Sequence, residues 1–125
     1  MSDVTKVDRN IENAAPGLRA VYPDFMAEAR QNGLCVGGFE IRRSKERQNF
    51  LKATGQSGVD GDNPRAFHVR GLAVDVVFID YESNWTWAAP QQDWDKLHEI
   101  AAKYGLDPGG KTFKHEQCHF QLEEA

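Results

Sequence analysis

An aspartate in the middle of an apolar run needs a countercharge. Asp75 stands inside Leu72–Ile79, LAVDVVFI, between Val74 and Val76. Burying its carboxylate unpaired would cost on the order of several kcal/mol. His68 lies seven residues earlier, with Arg70 and Gly71 between them. Positions seven apart on a regular strand face opposite sides, but a bend at Gly71 lets the two side chains converge. A divalent cation between them would supply the missing charge, and the stretch HEQCHFQL offers a third ligand in His119. Two neutral imidazoles and one carboxylate form the donor set expected of a catalytic zinc that keeps a fourth position open for water. Glu116, three residues before His119, is then free to act as general base toward that water, whose pKa zinc lowers to about 7. This role requires Glu116 in a loop and His119 at the start of a strand, because positions three apart on one strand oppose each other. The other compensation open to Asp75 is hydrogen bonding from the backbone or from an arginine between positions 42 and 70.

These residues need elements to hold them. Pro16 suits a first helical turn, and Leu18, Val21, Tyr22, Phe25, Met26 and Ala29 follow at helical spacing until Gly33; Pro23 either kinks this helix or restarts it. LCVGGFEI reads as a strand, and Ser44 is a good N-cap for KERQNFLKAT, which Gly55 closes. Arg43 therefore stands between a strand end and a helix N-terminus. Gly55 to Phe67 has the composition of a long loop, and such loops in compact domains tend to carry function. Leu72–Ile79 is the central strand, NWTW a turn or ordered loop, and Pro90 opens a helix with Trp94, Leu97, Ala101 and Tyr104 on one face. LDPGGKTFKHE reads as a loop and CHFQLEE as a last strand. Strands and helices are intermixed, with too few long crossovers for a parallel sheet, so the class is α+β.

The remaining chemistry is thinner. DGDN suggests calcium, but counting from Asp60 the loop pattern needs Gly where Arg65 stands and Glu where Gly71 stands. GQSGV has Val59 where a serine-hydrolase elbow needs its last glycine. His115 is expected to be exposed, His98 structural beside the Trp94 face, and Cys118 part of the core. Cys35 and Cys118 are expected to be reduced, since the polar N-terminus has no apolar run of the kind an export signal needs and implies synthesis in the cytoplasm. With 125 residues, 40% of them hydrophobic, the chain suits a single domain, residues 1–125. A net charge of −4 argues against nucleic acid as a partner, and no segment is apolar enough to span a membrane.

FHVRGLAVDVVF resembles the S-x-H-x-x-G-x-A-x-D signature of the D-alanyl-D-alanine carboxypeptidase and VanY-like zinc peptidases, and EQCHFQL resembles their closing acid-x-x-His motif. RRSKERQNFLKATG is similar to the family's R-S-x-x-x-Q helix, and YGLDPGG to the segment before the final motif, so the resemblance runs roughly from Leu34 to Leu122. In size and layout it is nearest to the small phage endolysins, L-alanyl-D-glutamate peptidases. The resemblance implies a small antiparallel sheet with packed helices, as in Hedgehog domains. It implies one Zn2+ per chain on His68, Asp75 and His119, with Glu116 as catalytic acid/base. Arg43, or its neighbour Arg42, would hold substrate and steady charge at the scissile carbonyl, and Gln48 would help bind substrate. The implied reaction is hydrolysis of the L-Ala–D-Glu bond in bacterial peptidoglycan stem peptides, by a monomer reaching the wall through holin-type release. A D-Ala-D-Ala carboxypeptidase or dipeptidase is the alternative within the class. A non-catalytic zinc domain serving as a structural or binding module is the alternative outside it. Three positions depart from the pattern: Ala66 replaces its serine, Pro108 replaces a tryptophan before Gly109 and Gly110, and the acid is Glu116 where endolysin-like members often carry Asp.

Overall fold

Pro16 opens helix α1, Pro16–Gln31, and the helix runs through Pro23 without a restart. An interior proline removes one backbone hydrogen bond and costs about 3 kcal/mol. Here burial of Leu18, Phe25, Met26 and Ala29 on one face offsets it, at about 1.5–3 kcal/mol for each large side chain. Strand β1 is Val36–Glu40, and helix α2, Lys45–Ala53, starts where Ser44 Oγ accepts from the Arg47 amide at 3.0 Å. Strand β2 is Ala73–Ile79, β3 Trp85–Thr86, helix α3 Gln91–Lys103, β4 Asp107–Pro108 and β5 His119–Gln121. This computed structural model describes residues 3–108 and 117–122.

The strands form one antiparallel sheet in the order β1-β2-β5-β4, with β3 also paired to β2. Alternation along β2 sends Val74, Val76 and Phe78 into the main core, where they meet Leu18, Phe25 and Met26 of α1 and Trp94, Leu97 and Ile100 of α3. Asp75, Val77 and Ile79 take the opposite face. The α+β class, the small antiparallel sheet and the packed helices are as the sequence implied.

Two short strands replace expected loops. NWTW supplies β3 because Asp80 Oδ1 accepts from the amides of Glu82 and Asn84, both at 2.9 Å, closing a tight turn that returns Trp85 to Ile79. Asp107 and Pro108 pair with Gln121 and Phe120, and Pro108 is tolerated because β4 lies at the edge of the sheet.

Candidate metal centre and its cleft

The chain enters β2 through the bend expected at Gly71. Its φ is +74°, and a Cβ there would lie 2.8 Å from the Ala15 nitrogen, so both conformation and space require glycine. The bend turns His68, 3% exposed, back onto Asp75: His68 Nε2 lies 3.1 Å from Asp75 Oδ1. On the far side β5 pairs His119 directly with Asp75, and His119 Nδ1 comes within 3.6 Å of the same oxygen. One donor atom from each of the three residues falls within 4.8 Å of the others. Nearest-neighbour gaps of 3.1 and 3.6 Å bracket the roughly 3.3 Å between ligand atoms of a tetrahedral zinc with bonds of about 2.0–2.1 Å.

Each histidine is oriented through its other nitrogen. His68 Nδ1 is 2.7 Å from the Ile41 carbonyl, which can only accept, so Nδ1 carries a proton and Nε2 is the nitrogen turned to the centre. His119 Nε2 is 2.7 Å from Gln121 Oε1, which leaves Nδ1 as the nitrogen turned to Asp75. With the outer nitrogens engaged, the facing nitrogens are the ones left to ligate a cation that displaces their protons, so the donor set fits zinc in both chemistry and orientation.

Asp75 is balanced in both of the ways the sequence left open. Burial alone would raise its pKa. The positive field of His68, hydrogen bonds from His119 and His68, and the Arg43 guanidinium outweigh that, holding the carboxyl well below the usual carboxylate range. Arg43 reaches Asp75 Oδ2 at 3.4 Å, while its Nε donates to Glu40 Oε1 at 3.0 Å and its Nη1 to Gln48 Oε1 at 3.2 Å. Arg42 instead donates to the Asn13 carbonyl at 3.2 Å, so Arg43 is the arginine at the centre. Gln48 is buried, and its amide nitrogen donates to Ser57 Oγ and to the Val59 carbonyl, both at 2.8 Å. Through these bonds it ties the loop after α2 to Arg43.

Around the centre opens a cleft of about 660 Å³. The loop after α2 forms one wall, with Ser57, Val59 and Arg65; Pro108 and Gln121 stand on the other side. Ala66 and Pro108, two of the departures from the family pattern, both line it. Glu116 and His115 lie outside the described residues. His98 is structural as expected, its Nε2 2.8 Å from the Gln117 carbonyl and its ring 5.5 Å from Phe120. Cys118 packs against the main core and also borders the cleft, and no disulfide joins it to Cys35.

Sequence reasoning missed two supporting residues. Glu40, 2% exposed, accepts from Arg43 and from Arg47 and fixes both guanidinium groups. Its signal was an acid closing an apolar strand three residues before Arg43. Gln121 holds His119, and its signal was position: residues two apart on a strand share a face.

This architecture is the fold of VanY-type and L,D-carboxypeptidase-type peptidoglycan peptidases. Among solved structures, the chain is similar to the L-Ala D-Glu endopeptidase ChiX of Serratia marcescens, with a TM-score of 0.65 and 24% identity over 96% of this chain and 88% of that one. It is similar to VanYB in complex with D-alanine-D-alanine, with a TM-score of 0.63 and 18% identity over 98% and 79% of the two chains. The LD-carboxypeptidase LdcB gives a TM-score of 0.65 and 17% identity, covering 87% of this chain and 58% of that one. No protein-family model matches the sequence, and no curated protein does.

Proposed function

We propose that the protein is a zinc-dependent peptidase of peptidoglycan stem peptides that hydrolyses the L-Ala–D-Glu bond in the manner of an endolysin. The observation that carries this reading is the convergence of His68 Nε2, Asp75 Oδ1 and His119 Nδ1 at one cleft, with both histidines already oriented through their second nitrogens. The fold shared with ChiX supports the choice of bond. Zinc bound there, one per chain, would act as a Lewis acid on the scissile carbonyl and lower the pKa of the attacking water.

The chain's own residues supply the rest. His68, Asp75 and His119 hold the ion. Glu116 takes a proton from the attacking water as its oxygen bonds to the carbonyl carbon, and then delivers that proton to the leaving amine as the peptide C–N bond breaks. Arg43, fixed by Glu40 and Gln48, presents positive charge in the cleft to a developing oxyanion or to a carboxylate of the substrate. Gln48 serves substrate binding by holding Arg43 and the Ser57–Val59 wall in place.

Similarity of fold to VanYB and LdcB favours a second reading, a carboxypeptidase that removes a terminal D-Ala. Mass spectrometry of fragments released from purified peptidoglycan separates the two. With zinc-loaded protein, cleavage between L-Ala and D-Glu that disappears in Glu116→Ala is the expected result. Loss of D-Ala alone assigns the carboxypeptidase. No change with zinc bound contradicts both and leaves a non-catalytic zinc domain.

A further inference from the structure

Three aromatic side chains outside both buried clusters gather on the sheet face that carries Asp75. Trp85 pairs with Ile79, and its indole lies so close over Gly37 that a Cβ there would come within 2.9 Å of it. Phe39 stands edge-on to Trp85 at 5.3 Å and to Trp87 at 5.1 Å. Arg9 locks the group from the side: its Nε donates to the Phe39 carbonyl at 2.9 Å, and its guanidinium lies 4.8 Å from the Phe39 ring centre and 5.3 Å from that of Trp85. Trp87 remains 50% exposed, and Arg9 is exposed beside the cluster.

Gly37 and Arg9 thus position indoles at the surface, where they add nothing to the main core. The exposed apolar area is little more than one ring system. That is far below the roughly 800 Å² per partner of a standard protein interface. A pyranose ring fits it better, since one face presents C–H groups of about the area of an indole and the rim presents hydroxyls to a planar donor such as arginine. The register Ile79↔Trp85 and Phe78↔Thr86 runs the chain back toward Asp75, and the Trp87 ring reaches Phe39, the residue before Glu40, whose strand partner is Asp75.

The geometry points to a saccharide platform, made of Phe39, Trp85, Trp87 and Arg9, that holds the glycan strand of peptidoglycan beside the cleft. The choice of glycan rests on the proposed function: an L-Ala–D-Glu bond lies one amino acid from the sugar that bears the stem peptide. The platform therefore favours stem peptides still attached to glycan over free peptides.

Its test uses glycan strands stripped of their peptides, which contain no scissile bond. Co-sedimentation of the full chain with these strands is expected to show binding that Trp87→Ala weakens about tenfold, a loss typical of an exposed tryptophan anchor, and that Trp87→Tyr largely restores. Failure of the unaltered chain to bind stripped glycan, or equal binding by Trp87→Ala, overturns the platform. Because no peptide is present, the result is independent of whether the cleft hydrolyses L-Ala–D-Glu.

Discussion

Two carboxylates face each other across neighbouring strands, and they are neutralised in opposite ways. Glu40 ends β1 and Asp75 lies mid-β2, paired in register. Among the described residues the Glu40 carboxylate meets only guanidinium groups, from Arg43 and Arg47, which carry permanent charge and have no lone pair to offer a metal. Asp75 meets two imidazoles whose other nitrogens are already engaged, and Arg43 only at longer range. The same residue chemistry, an acid in a strand, thus becomes a structural anchor in one place and a metal-ligand candidate in the next. The identity of the partners decides which. Arg43 touches both carboxylates, so the rigid pair and the candidate reactive centre share one positioned cation.

Breaking the structural side should have the larger effect. Glu40→Ala leaves Arg43 and Arg47 without their shared counterion in a largely buried setting. It is expected to destabilise the fold by about 3–5 kcal/mol, read as a lowered urea midpoint. A loss below about 1 kcal/mol would mean that the two guanidinium groups find water or other partners. The metal-centre side can be sharpened without removing a ligand. Gln121→Leu takes away the bond that orients His119 and is expected to weaken zinc binding about 10–100-fold, with Gln121→Glu keeping the acceptor and most of the affinity. Equal affinity in all three proteins would show that strand pairing alone orients the ring.

The candidate centre was legible where its signals were local. An aspartate in an apolar run demanded compensation, Gly71 announced the bend, and His68 and His119 lay in motifs that name their partners. The helices followed from apolar spacing, and α1 and α2 give way to their expected glycines, Gly33 and Gly55. What escaped depends on register. A two-residue strand such as β4 exists only because β5 lies beside it, and β3 only because Asp80 closes its turn. Glu40 escaped for a related reason. Its partner Arg47 lies in KERQ, a run that reads as a solvated helix face until α2 is placed against the end of β1. Gln48 was singled out for substrate, and the structure shows its amide engaged with Arg43, Ser57 and Val59.

The central claim is that Asp75, unlike Glu40, belongs to a metal centre. Calorimetric titration of chelator-treated protein with zinc tests it most directly, comparing the unaltered chain with Asp75→Asn. One zinc per chain, with affinity reduced at least about 100-fold in the variant, is the predicted result, since a ligating carboxylate is lost. Absence of binding to the unaltered chain, or binding that Asp75→Asn leaves intact, would contradict it.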